Sequence, residues 1–239
     1  RFADAETEAD LRRHADEALA SGLHVFCGSA GLANVLAGRL AEAWGWTTRP
    51  DAVTAPTTSK RAVLVVAASR HPQTQRQLER LRAAGSSLLT PSPDWALADD
   101  SGGDSALVMA LAEGLASGVA ILTTLGLPAL SISGPALVTR LAEVAAVALS
   151  AVSRRVVAHA GAPSSGGLLP SEGLGLVLTG GDAAIAVSRA LGAQALRLYG
   201  EVTPGMPWGR LVGGTGAGLP LVTKAGGFGD SDALMTAID

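Results

Sequence analysis

The sequence predicts an α/β fold, a layered arrangement with a largely parallel or mixed sheet flanked by helices. Two observations carry this. From residue 61 onward, short apolar runs alternate with longer segments of helical periodicity, the pattern of a sheet with helices on its faces. Several of those runs end in small residues directly ahead of a helix, as at Gly180-Gly181-Asp182. Composition agrees: 48% of the 239 residues are hydrophobic and 16% are charged. That length suits one large domain, or a domain with an appendage.

Taken in order, residues 5–20 place Leu11, Ala15, Ala18 and Leu19 on one face and Arg12, Arg13, Asp16 and Glu17 outward. This is an amphipathic helix, with Asp4 or Thr7 as its cap. Residues 23–27 read as a short apolar strand, and Gly28-Ser29-Ala30-Gly31 turns the chain into a helix ending near Trp44. Residues 45–60 are polar, proline-containing and aperiodic, the best linker in the chain. The expected division is a first region over 1–46, a linker over 47–60 and a domain over 61–239. Residues 61–67 are apolar after Arg61, which predicts a central parallel strand covered on both faces.

A helix follows to about 84, then a strand over 86–89 and a polar loop over 90–103. Asp99, Asp100 and Asp104 match no oxygen-ligand spacing and read as an acidic loop, with Asp104 capping a helix over 105–117. A strand over 119–123 leads to Pro135, which opens a long apolar helix over 136–159. After a glycine- and serine-rich loop come a strand over 176–179 and a helix over 183–191 capped by Asp182. The remainder reads as a strand over 195–200, a loop over 201–210, a hairpin-like connection over 212–218, a strand over 219–222 and a short helix over 232–238.

Charge and composition exclude several roles. A net charge of −3 gives no support for nucleic-acid binding. The longest uncharged run, 114–139, is interrupted by Gly126, Pro128, Gly134 and Pro135, so it does not read as a membrane helix. The single cysteine, Cys27, excludes an intrachain disulfide and fits a reducing, cytoplasmic location.

Candidate chemistry sits in the turns. A strand, a glycine turn and a helix leave bare N–H groups at a helix N-terminus, where the dipole favours an anion. Gly180-Gly181-Asp182 therefore reads either as a phosphate cradle or as a tight connection without a ligand. Near the C-terminus, Lys224 supplies a point charge suited to phosphate, and Gly226, Gly227 and Gly229 permit close backbone approach. Ligands of such sheets bind outside the carboxyl ends of the strands. The turns at Ser69, Gly180 and Gly226 are thus expected to meet at one edge. No G-x-x-x-x-G-K-[ST] motif is present, so the chain is not a P-loop protein.

Three segments carry a resemblance. They are Gly180-Gly181-Asp182-Ala183-Ala184, then Gly200-Glu201-Val202-Thr203-Pro204-Gly205-Met206-Pro207, then Thr223-Lys224-Ala225-Gly226-Gly227-Phe228-Gly229-Asp230. In that order they resemble the G-G-D-T-A, g-E-x-x-P-G-x-P and T-K-x-G-G-F-G-D motifs of the four-carbon acid sugar kinase family. Ser69, Thr74 and Gln77 match a further S, T and Q pattern, and Gly28-Ser29-Ala30-Gly31-Leu32-Ala33 matches an upstream one. The chain departs from the pattern at Ala67, Ala68, His71 and Ala183.

The resemblance implies ATP-dependent phosphorylation of a hydroxyl on a four-carbon sugar acid of the threonate, erythronate or 3-oxo-tetronate type, with ATP and Mg2+ as cofactors. It implies nucleotide contacts at Ser69, Thr74, Gly180, Gly181, Asp182, Ala183, Lys224, Gly226, Gly227 and Gly229, a magnesium contact at Asp182 and a substrate contact at Ser29. An N-terminal substrate domain, holding the base and the carboxylate clamp, is expected to precede this chain, so no catalytic residue is assigned here. A homo-oligomer is compatible with all of this. The alternatives are a nucleotide-binding domain without catalysis, and a structural fragment that binds nothing.

Overall fold

The computed structural model describes residues 3–46, 62–97, 104–127, 134–160 and 173–239. It divides into two compact units, Arg1–Ala52 and Val53–Asp239. The expected linker over 47–60, Asp99, Asp100 and the glycine- and serine-rich segment over 161–172 lie outside the described residues.

The first unit is a helix pair, α1 (Glu8–Ala20) and α2 (Ala30–Ala43). Thr7 caps α1 in a reciprocal capping box with Asp10. Bonds from Thr7 and Arg13 hold the Asp10 carboxyl down at about 2. Ala15 and Val35 are buried between the helices, and Arg39 grips Asp16 with two bonds of 2.6 and 2.7 Å. Ser29 stands at the cap of α2 without a side-chain cap bond. The strand expected over 23–27 does not form: the segment has no ladder partner and Val25 is 89% exposed. A strand exists only by pairing its N–H and C=O groups with a neighbour, and the described residues of this unit supply none.

The second unit is the predicted α/β layer. Its elements are β1 (Ala62–Ala67), α3 (Pro72–Ala83), β2 (Ser87–Leu89), α4 (Pro93–Leu97), α5 (Asp104–Ala116), β3 (Val119–Thr123), α6 (Gly134–Ala160), β4 (Leu174–Thr179), α7 (Gly181–Ala190), β5 (Ala195–Thr203), β6 (Met206–Val212), β7 (Pro220–Lys224) and α8 (Ala233–Ile238). The strands form one sheet in the order β2-β3-β1-β4-β7-β6-β5. The first five in that order run parallel, and β6 is antiparallel to both of its neighbours.

Alternation along the strands builds two cores. Leu64 and Val66 of β1 join Leu174, Leu176 and Leu178 of β4 against α5, α6 and α7. Val63, Val65 and Ala67 join Val177 and Val222 against Leu78 and Leu81 of α3 and Leu234 of α8. Each fully buried leucine contributes about 1.5–3 kcal/mol relative to exposure. α6 has the length and hydropathy to cross a membrane, but over half of its most apolar section is buried and it packs against α5 and α7 as a core helix. Asp104 opens α5 and accepts bonds from the Trp95 indole at 2.6 Å and from Arg140 at 3.1 Å. The Arg140 guanidinium lies 4.2 Å from the centre of the Trp95 ring. That acidic position is therefore a structural tie.

One element differs from expectation. Residues 201–210, read as a loop, lie largely in the β5–β6 hairpin, which turns at Pro204-Gly205 with Gly205 at φ +80°. Proline followed by a residue of positive φ is the chemistry of a tight turn, and it outweighs the low strand propensity of the neighbouring proline and glycines. Trp208 packs on Tyr199, with ring centres 5.2 Å apart.

Candidate functional site

Because β1, β4 and β7 are adjacent and parallel, their carboxyl ends share one sheet edge. The turns after them meet there. The N–H of Gly180 donates to the Lys224 carbonyl at 2.9 Å, tying the β4 turn to the end of β7. Gly180 occupies φ +100°, a region that an L side chain resists. A Cβ on Gly180 would stand 3.6 Å from the Ser69 amide nitrogen, and a Cβ on Gly226 would overlap the Ser69 hydroxyl oxygen. Gly180 and Gly226 thus both lie within contact range of Ser69.

These turns line a cleft of about 580 Å3. Gly134 and Pro135 open α6 onto it, and Gly181 and Asp182 open α7 onto it. Two helix N-termini therefore face one cavity, each presenting the positive end of its dipole, and α7 starts without a side-chain cap bond. Arg70 and Thr124 add to the lining, and the Arg70 guanidinium also donates to the Leu127 carbonyl at 3.1 Å. Ala183 lines the same cleft, its methyl packed into the core.

Asp182 does not cap α7. Gly180 holds the cap position, with no side-chain cap bond, and Asp182 sits exposed in the first helical turn. The glycine pair shifts the helix start two residues earlier than the helical periodicity implies. Among the described residues no group of three or more metal-capable side chains exists, so Asp182 is a lone carboxylate at the cleft.

Thr74, Lys224, Gly227 and Gly229 are not among the cleft-lining residues. Lys224 at the end of β7, Gly227 and Gly229 belong to the turn behind the cleft, and Thr74 of α3 braces that turn. Thr74, fully buried, donates to the Gly226 carbonyl at 2.8 Å. Gln77 donates to the carbonyls of Phe228 at 3.0 Å and Asp230 at 2.6 Å, and Gln73 donates to that of Gly229 at 3.0 Å. His71 Nδ1 accepts from the Gln73 N–H at 3.1 Å and caps α3, so an imidazole nitrogen takes the role that a Ser, Thr, Asp or Asn side chain usually plays at a helix start. The His71 ring also packs against Gly227.

Lys224 is 3% exposed, and its Nζ donates to the carbonyls of Ala225, Gly226 and Phe228 at 2.9, 3.0 and 3.3 Å. Burial pushes its pKa down to about 8, and no carboxylate offsets this among the described residues. The expected free point charge is instead a buried ammonium with all three donors engaged. Between pH 8 and the ordinary lysine value of 10.5, the unfolded chain holds a proton that the native chain has released. Stability therefore rises with pH across that window. The unfolding free energy of the protein relative to Lys224→Met is expected to grow by about 2–3 kcal/mol from below to above the window. Urea unfolding at a series of pH values measures this, and a flat difference refutes it.

Thr124 and the start of α6 are the site components missed in the sequence. Thr124 had a visible signal, since it directly follows β3 much as Ser69 follows β1. Pro135 was legible as a helix start, but its placement at the cleft is decided by the fold.

Sequence comparison identifies the fold's lineage. The family model described as a nucleotide-binding C-terminal domain matches residues 64–234. A D-threonate kinase of Bordetella bronchiseptica is 38% identical over 180 residues, covering 73% of this chain. The chain belongs to the four-carbon acid sugar kinase family. A second relative, a D-erythronate kinase of Heliobacterium modesticaldum, is 39% identical over 93 residues, 38% of this chain and 19% of its own length. A solved Bordetella bronchiseptica structure, described as a domain of unknown function with bound citrate in a domain-swapped dimer, superposes with a TM-score of 0.57 at 32% identity. It covers 98% of this chain and 51% of its own. This family member spans only 39% of the length of the Bordetella kinase. The matched segment, 64–234, contains every cleft residue named above.

Proposed function

We propose that this chain is the nucleotide-binding part of an ATP-dependent kinase that phosphorylates a hydroxyl of a four-carbon sugar acid, of the threonate, erythronate or 3-oxo-tetronate type. The observation that carries the reading is the convergence of two helix N-termini and three strand-end turns on one cleft. Such an arrangement stabilises a polyphosphate through backbone N–H groups and helix dipoles. The names of the D-threonate and D-erythronate kinase relatives supply the substrate class.

The ligand positions are Ser69, Gly180, Gly181, Asp182, Ala183 and Gly226 at the cleft, joined by Arg70. Thr74, Lys224, Gly227 and Gly229 act from behind the cleft. A groove of about 510 Å3 between α6 and α7 continues the cleft through Pro135, Val138 and Asp182. Val138, Ile185 and Ala186 give it an apolar floor, with Thr139, Glu143 and Arg189 at its rim, a surface suited to a base and ribose. Mg2+ binds typically through one or two carboxylates plus substrate phosphates. Asp182 at the cleft fits that donor set, and the ion would neutralise charge on the transferred phosphoryl group.

The general base and the carboxylate clamp are assigned to an N-terminal substrate domain, with Ser29 of the first unit as a substrate contact and the boundary between the two domains at 47–60. The same reading places the protein in the cytoplasm and admits self-association, as in the domain-swapped dimer of the solved relative.

Calorimetric titration with ADP and ATP, with and without Mg2+, tests the cleft. Binding is expected, and Arg70→Ala is expected to weaken it about tenfold through a lost charge-assisted bond. No heat at millimolar nucleotide would overturn the reading. Joining the chain to its upstream domain and assaying four-carbon acids separates a kinase from a non-catalytic binder.

A further inference from the structure

The three carbonyls around the Lys224 ammonium are each engaged twice. The Ala225 oxygen also accepts from the Phe228 N–H at 3.1 Å, the Gly226 oxygen from Thr74 at 2.8 Å, and the Phe228 oxygen from Gln77 at 3.0 Å. An ammonium has three donors and a carbonyl oxygen two lone pairs, so the set is saturated on both sides. Three carbonyl dipoles from one tight turn, aimed at a single point, repel each other unless N–H donors or a cation sit between them. Carbonyl clusters of this kind substitute for the hydration shell of a monovalent ion.

We propose that Lys224 is a positioning residue whose ammonium serves as a tethered cation in this carbonyl cage, and that the cage without the side chain takes up a small free cation. The cation holds the loop so that Gly226 stays against Ser69 at the cleft. With no donor left over, Lys224 acts on a bound phosphate through the loop and not by contact. The effect on nucleotide rests on the reading of the cleft proposed above, whereas the cage itself does not.

The test is chemical rescue of Lys224→Ala. Methylammonium chloride is compared with tetramethylammonium chloride, which has no N–H and is too large for the cage. Thermal unfolding of the variant is expected to rise by several degrees in methylammonium over the control, with no such difference for the parent protein. ADP affinity of the variant is expected to fall about tenfold or more, and methylammonium to recover most of it. Equal melting in the two salts overturns the cage. Recovered melting without recovered ADP affinity overturns the positioning role in favour of direct contact. Should ADP bind neither protein, the nucleotide reading fails while the melting comparison still decides the cage.

A second measurement needs no variant. The chain has two lysines, Lys60 and Lys224. Under reductive methylation of the folded protein, Lys224 is expected to stay unmodified with or without ADP. Free reaction at Lys224 that ADP blocks overturns the proposal.

Discussion

Gly226→Val is expected to remove nucleotide binding while leaving the sheet folded. A Cβ at this position would overlap the Ser69 hydroxyl oxygen and stand 3.1 Å from Ser69 Cβ and 3.4 Å from His71 Cβ. Valine adds two further methyl groups to that collision. The loop cannot retreat easily, because the Gly226 carbonyl is tied to both Thr74 and Lys224. ADP affinity is expected to fall about a hundredfold, a loss of near 3 kcal/mol, and stability to fall by about 1–3 kcal/mol from overpacking. Calorimetry and thermal melting of the same sample measure both. Unchanged ADP affinity in a folded variant would remove the β7 turn from the site.

Gln77→Ala is expected to give the largest loss of stability. The side chain is fully buried and ties the carbonyls of Phe228 and Asp230 from one amide. Truncation strips donors from two carbonyls and leaves a void beside Leu78 and Leu81, which lie in the α3–α8 core. One offset exists: Gln77 Oε1 is buried without a partner among the described residues, and truncation removes that cost. The net loss is expected to be about 3 kcal/mol, with weaker ADP binding because the loop behind the cleft is released. Gln77→Leu separates the contributions, since it refills the volume without restoring the bonds. Denaturant unfolding of the two variants measures the difference. Equal stability of Gln77→Leu and the parent protein would show that the loop does not depend on these bonds.

The predicted α/β layer needed nothing beyond local pattern. β1, β3 and β4 are buried on both faces, so they read as continuous apolar runs. The glycine turn before α7 was likewise legible, since Gly180 takes a backbone conformation that few other residues can hold. The segment over 23–27 has the composition of a strand without a neighbour to pair with among the described residues, and composition does not reveal partners. Asp182 looked like a cap because it precedes the periodic residues, yet the backbone turns helical one residue before it.

The amino-acid sequence by itself determined the α/β class, the strand-end turns at Ser69, Gly180 and Gly226, and the family. Only the tertiary structure decided what Thr74, Gln77 and Lys224 do. Thr74 and Gln77 meet their carbonyls across more than 150 positions of chain, a distance no local pattern spans. Lys224 is adjacent in sequence to the glycines it serves, and its charge alone suggested a phosphate ligand. The structure buries that ammonium. An ammonium removed from water must have every donor paired, and the nearest acceptors were the carbonyls of its own loop.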